Sequence, residues 1–319
     1  MNIRKARAAN KAAAAAVFVA PTTSFLVIGF AVGRVTTDTP QGALAVAVLI
    51  ALGAAIASCL ASIGGPLLIL RIAGARPLRQ NEAPEFQQAV VEFGHLLGLS
   101  PPALFVVEDL APNAFSVGLI PSQASIVVTS GLLRRLRGRE LQAVVAQRLV
   151  LVSDYSMLLG TLLGVLVCPI PLLADGWRGT HSYELLTTRD YLLVSDVMGW
   201  LMLIAWMAAA LCLRIVRTVW RPEREYAADD VAAHLTGDPL GLADALESIA
   251  GASRPLARAN RGIAHLFITN PFEGRADGPS LNTYAPISRR TQLLRAMSIE
   301  APDGRRLRRR PSNDHWGVT

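Results

Sequence analysis

Two carboxylates and one guanidinium have spacings that call for chemistry. Glu225 and Asp229 are four residues apart and share a helix face. On the segment Arg139–Val152, the residues Leu141, Val145, Leu149 and Val152 form an apolar stripe. Arg148 follows Leu141 by seven residues, close to two full turns, and lies along that stripe. A guanidinium buried there requires a carboxylate or several acceptors around it. Metal ligation finds less support. His234 is nine residues after Glu225, about 900° around the helix and so on the opposite face. His95, His181, His265 and His315 are scattered, and each histidine reads as structural or solvated. Cys59, Cys168 and Cys212 are odd in number, far apart and inside apolar runs. That argues against disulfides and against a thiolate site, and for small buried hydrophobes.

The elements that must position these side chains sit in an apolar chain. Only 17% of the 319 residues are charged, against roughly 25% in soluble proteins. Disorder is excluded for most of the length. Uncharged runs cover 12–33, 39–70 and 155–174, and a fourth, 191–213, carries only Asp196. The first two exceed the roughly 20 residues that a helix needs to cross hydrocarbon, and are expected to span a membrane. The third contains Pro169 and Pro171, and with the fourth it reads either as two further spans or as a re-entrant hairpin. The basic amino terminus followed by a long apolar run fits an uncleaved signal anchor better than a cleaved signal peptide.

Of the charged residues, 31 are Lys or Arg and 24 Asp or Glu, a net charge of +7, and lysine occurs only at Lys5 and Lys11. The positive charges flank the runs on one side: Arg4 to Lys11, then Arg71, Arg76 and Arg79, then Arg214 to Arg224. Four crossings with both termini and the main domain in the cytoplasm satisfy the positive-inside rule. Topology thereby accounts for much of the arginine, which leaves the lipid bilayer as the expected partner and makes nucleic acid unlikely. The run Gly304–Arg310 reads as a solvated or lipid-facing tail.

The expected organisation is a basic segment with two spans over 1–72, a first part of the polar domain over 73–154, a membrane hairpin over 155–213, a second part over 214–300, and a disordered basic tail over 301–319. Within the polar domain, Phe86, Val90, Phe93 and Leu97 predict a helix over 84–98. Ala103–Val107 and Ser125–Thr129 predict strands, and the turn residues between them suggest a small antiparallel sheet. Further helices are expected over 139–152, from about Pro222 to Gly237, and over 240–249.

This order of elements resembles the HtpX-type membrane-embedded zinc metalloproteases, of the gluzincin class. The resemblance rests on Asn113-Ala114-Phe115, on Ile126–Gly131 followed by Leu132-Leu133, on Glu225-Tyr226-Ala227-Ala228-Asp229, on Ala264–Pro271 and on Leu281–Pro286. It covers most of 12–298 and implies an α+β, mostly helical fold: four transmembrane helices and a zincin-like cytoplasmic domain. In that family one helix carries His-Glu-x-x-His, whose two histidines bind zinc while the glutamate polarises water. The frame set by Glu140–Ala146 puts Gln147, Arg148 and Leu151 on those three positions. The third-ligand position keeps Glu225, with Asp229 as its companion, and Tyr284 stands where the family often has histidine. Leucine has no lone pair, a glutamine carbonyl is a weak zinc ligand, and Arg148 brings a fixed cation.

The sequence therefore predicts no intact catalytic or metal site, and an Arg148–Glu225 ion pair in place of a metal cross-link. The implied function is that of a catalytically inactive scaffold, a pseudoprotease acting on peptide or membrane-protein partners. One expected mode is strand addition beside Ser125–Thr129. The alternatives are an active zinc endopeptidase with a rearranged site, zinc being its cofactor, and a basic tether working through the tail.

Overall fold

A computed structural model describes residues 3–168, 214–216, 218–252, 254–258, 260–272 and 284–299. The chain opens with two long antiparallel helices, α1 (Ile3–Thr36) and α2 (Pro40–Ala73). The basic stretch before Ala12 is thus continuous helix with the first apolar run. Thr39 caps α2 by accepting from the Gly42 N–H, and Gly74, in the left-handed region, ends it. Both helices are long and apolar enough to cross a membrane, and most of the apolar side chains along them face outward. Apolar surface left uncovered at this density requires an apolar surrounding.

The polar part is built from β1 (Ala75–Pro77), α3 (Pro84–Leu96), β2 (Ala103–Val107), β3 (Ala114–Val117), β4 (Ser125–Thr129), α4 (Ser130–Arg135) and α5 (Gly138–Ser153). A 75° bend separates α5 from α6 (Ser156–Leu162) and its π-helical extension Leu163–Val167. The helices α7 (Glu223–Thr236), α8 (Pro239–Ala250) and α9 (Ile287–Ile299) complete the described domain.

The sheet corrects one expectation. Its order is β1-β2-β4-β3 and it is mixed: β2 and β4 run parallel, while β1 pairs with β2 and β3 with β4 antiparallel. The chain leaves β2, turns back along β3, and inserts β4 between them, so the hairpin is β3–β4 and the two apolar runs seen in the sequence are parallel neighbours. β1 and β3 lack a strong apolar pattern of their own and escaped the reading. The order also removes the expected docking edge. β4 is paired on both sides, and no extended peptide can add beside it. On the outer side of β3, Phe267 bridges to Phe115 and the Ile268 N–H donates to Ala114 O at 2.9 Å.

Two cores flank the sheet. One packs α3, α5, α7 and α8 around Phe86, Ile126, Leu132 and Leu149. The other joins the end of α2 to Phe115, Val127 and Phe267. Of the third apolar run, the described part is α6 and its extension, whose Leu159, Leu162 and Leu163 pack against Ala14, Val17 and Trp220. Its remainder, the fourth run and the basic tail lie outside the described residues, so two spanning helices are what the described chain presents.

A polar knot ties α1 to the α5–α6 bend. The Asn10 amide donates to Asp154 O at 2.8 Å and to Ser156 Oγ at 3.0 Å, and it accepts from Arg224. The Asp154 carboxylate accepts from the Ser156 N–H and hydroxyl at 2.8 and 3.0 Å. Burial nevertheless pushes its pKa from 3.8 to about 6. Nearby, burial holds the His265 pKa down at about 4, below its ordinary 6.5, while its Nε2 bonds Gly160 O at 2.8 Å.

The close helix approach and the two titrating groups each give a prediction. A Cβ on Gly33 would lie 2.6 Å from the Ala43 Cα, too close for either backbone to yield. Gly33→Leu should cost about 1–3 kcal/mol and lower the melting temperature in detergent; Gly53→Leu, with nothing within 4 Å, should leave it near the parent value. As pH falls from about 6 to 3.8 the folded chain holds a proton on Asp154 that the unfolded chain lacks, which adds stability. From 6.5 to about 4 the unfolded chain protonates a histidine that the fold keeps neutral, which removes it. Each effect is about 3 kcal/mol and they oppose one another. Asp154→Asn should therefore lose up to about 3 kcal/mol more than the parent between pH 6.5 and 4 in denaturant titrations. Equal slopes for the two proteins would contradict the assignment.

Candidate functional site

α5 and α7 lie side by side, and the residues singled out by spacing meet between them. Gln147, Arg148, Glu225 and Asp229 are each at most 3% exposed. The Gln147 amide donates to Glu225 Oε2 at 3.0 Å and to Asp229 Oδ1 at 3.2 Å. Arg148 is addressed from three sides. Its Nε donates to Gln147 Oε1 at 2.7 Å, its Nη1 to Leu266 O at 3.2 Å, and its Nη2 lies 3.4 Å from Glu225 Oε2. Leu151 stands apart from this network and packs into the apolar core with Leu149 and Val150.

A fifth member, Arg290 on α9, was not found from the sequence. Its Nε and Nη2 grip Asp229 as a two-pronged fork, both at 2.7 Å, and its Nη1 donates to Ile268 O at 2.9 Å. The same Nη2 lies 3.4 Å from Glu225 Oε2. Arg290 is 1% exposed. Two guanidinium cations thus face two carboxylates, and the buried cluster is neutral as a whole. The sequence held one signal for it: two acids on one face of α7 against one cation on α5 left a charge unmatched. Nothing in the local pattern of α9 said which of Arg289, Arg290 and Arg295 would supply the second.

The electrostatics divide the two arginines. Burial lowers the pKa of Arg148, and Glu225 opposes that shift. Burial acts on Arg290 as well, but Asp229 outweighs it and holds the guanidinium above its ordinary value. Both remain cations at any physiological pH.

One loop closes the site. The Ala264–Thr269 stretch borders β3, gives Leu266 O to Arg148 and Ile268 O to Arg290, and receives the Tyr284 hydroxyl at Ala264 O. The Asn113 amide fixes its end through Thr269 O at 3.1 Å. His265 faces away from the charged cluster, toward α6, with its ring against the edge of Trp220. His95 and His234 are exposed, His181 and His315 lie outside the described residues, and so does Cys212. Cys59 is exposed on α2 and Cys168 is buried.

A zinc ion does not fit this donor set. Zinc requires three protein lone pairs at about 2.0–2.3 Å with a fourth position open. The side chains converging here present an amide NH2 and guanidinium N–H groups, which repel a dication, and they occupy the lone pairs of Glu225 and Asp229. Among the described residues no three of His, Cys, Asp and Glu are grouped to hold a metal. The arrangement is suited to cross-linking α5, α7, α9 and the Ala264–Thr269 loop.

Removing one partner from such a cluster leaves a buried charge exposed to low dielectric. Arg290→Met should destabilise the fold by about 3–5 kcal/mol in denaturant titrations. Arg290→Met combined with Asp229→Leu should cost clearly less than the sum of the single changes. Strict additivity would show that the fork is not an energetic unit.

With the geometry in place, known proteins are informative. The family model described as Peptidase family M48 matches residues 79–295. A protease HtpX homolog of Dictyoglomus turgidum is 34% identical over 230 residues, covering 72% of this chain and 75% of that protein. One from Pyrococcus abyssi is 33% identical over 240 residues, covering 73% and 80%. No solved structure matches. The match spans α3 into α9 and contains all five members of the buried cluster, so this chain belongs to peptidase family M48, among its HtpX-type metalloproteases.

Proposed function

We propose that this chain is a membrane-anchored, catalytically inactive member of its family, a pseudoprotease that works by holding a peptide or membrane-protein partner. One observation carries the reading. Where the family's motif places two imidazoles and an acid, Gln147, Arg148 and Leu151 stand, and the first two are tied to the remaining acid, Glu225. The cluster takes over the mechanical part of a metal site, holding α5 to α7, without its Lewis acidity or its activated water. α1 and α2 anchor the protein in the bilayer. The distribution of arginine supports a multi-pass arrangement with both termini and the domain in the cytoplasm. A peptide partner held by strand addition would need a free sheet edge; β2 and β4 are central, β3 is bordered by Phe267 and Ile268, and the other edge, β1, is only 3 residues long and ends in Pro77. That favours a partner met on the outside of the domain or along the membrane helices.

The test is a metal analysis of protein purified without a nickel column, run beside a casein cleavage assay with and without chelator. The expected result is less than stoichiometric zinc and no chelator-sensitive cleavage. The combined change Gln147→His, Arg148→Glu and Leu151→His leaves the Arg290–Asp229 fork in place and is expected to raise zinc occupancy toward one per chain. Near-stoichiometric zinc with chelator-sensitive cleavage in the parent protein would overturn the proposal in favour of an active endopeptidase.

A further inference from the structure

Where α1 leaves the folded domain, cations collect without anions to match them. Arg7 and Lys11 are four residues apart and share one face of the helix. Both sit over the ring of Tyr155, at 5.9 and 4.2 Å from its centroid. Arg7 spends its Nε on Ser153 O at 3.0 Å, and among the described residues no hydrogen bond engages its other two nitrogens. Among the described residues neither Arg7 nor Lys11 has a carboxylate within salt-bridge distance. Tyr155 has a φ of 64°, a left-handed conformation that is strained for a residue with a bulky side chain.

A second, independent observation comes from Arg224, bonded to the same helix through Asn10. Its Nη2 reaches Val219 O at 3.5 Å, but its Nε is buried without any acceptor. An orphaned donor on a charged group costs more than the roughly 1–3 kcal/mol of a neutral one, so the site lacks an acceptor oxygen. The local acid, Asp154, acts on Arg224 through its charge but makes no hydrogen bond to it, and each of its oxygens accepts from Ser156. Three cations against one carboxylate leave this corner at +2.

We infer that Arg7 and Lys11, both over the Tyr155 ring, with Arg224 tied to the same helix through Asn10, bind the phosphate of an anionic phospholipid headgroup. Depth selects a lipid over a soluble phosphate. Lys11 is the last charge before the uncharged run that begins at Ala12, which puts it at the level where phosphates lie if α1 is embedded. Tyr155, partly exposed beside Lys11, offers the amphipathic ring favoured at that level. The inference rests on the membrane reading of α1 and α2, and is separable from it.

The experiment compares the chain in nanodiscs of phosphatidylcholine alone and with phosphatidylglycerol, following thermal unfolding and the lipid retained per protein. Phosphatidylglycerol should raise the melting temperature and be enriched around the parent protein. Arg7→Gln with Lys11→Gln should weaken its affinity by roughly ten- to thirtyfold. The control, Lys5→Gln with Arg214→Gln, removes the same charge from exposed positions and should keep the preference. Lys11→Gln alone, at a side chain that makes no hydrogen bond, shows a smaller loss and guards against misfolding of the double variant. Equal losses in both charge pairs, or no preference in the parent protein, would overturn the site. Stabilisation by inorganic phosphate in neutral nanodiscs to the same extent would replace the lipid with a soluble anion. A chain that stays soluble without detergent or lipid would remove the membrane reading, and this site with it.

Discussion

Charge neutrality in a dry interior is the constraint around which the domain is organised. Each of the four ions between α5, α7 and α9 would be ruinous alone in low dielectric, and together they sum to zero. Each also has a hydrogen-bonding role beyond its charge. Arg148 and Arg290 reach past the carboxylates to backbone oxygens of the Ala264–Thr269 loop, so that loop is held by side chains from two different helices. Because the loop borders β3 in turn, the cluster fixes the outer margin of the sheet as well as the helices. A metal centre and a salt-bridge cluster solve the same assembly problem. Only the former leaves a coordination position open for chemistry.

The two arginines differ in how the interior accommodates them. Asp229 is satisfied by Arg290, in fork geometry and at short distance. Glu225 has no such dedicated partner, and it is the acid toward which both Gln147 and Arg148 turn. Gln147 is the hinge of the arrangement: its amide nitrogen serves both acids while its oxygen accepts from Arg148. A residue that can donate and accept at once is what a cluster of pure donors and pure acceptors needs at its centre.

Much of this was legible from spacing alone. The helical periods of α3, α5, α7 and α8 follow their apolar residues, and the stripe position of Arg148 pointed to a buried acid. The sheet was harder. The runs 103–107 and 125–129 are both apolar, and the turn residues between them suggest antiparallel pairing, yet β3 takes the hairpin position and makes the two runs parallel. β1 is three residues long with an arginine at its centre and has no pattern to read. Arg290 was hidden for a different reason. A long-range partner on a helix with several arginines is chosen by tertiary packing, and spacing within the helix carries no information about it.

α1 is a single rod of 34 residues, Ile3–Thr36, and so roughly 50 Å long, against about 30 Å of bilayer hydrocarbon. Its first turns are locked into the domain through Asn10 rather than joined by a slack tether. Because that lock falls at Asn10, with only Lys11 before the apolar run begins, the rod leaves no slack between the domain and the apolar stretch of α1: the domain is held flush against the start of that stretch.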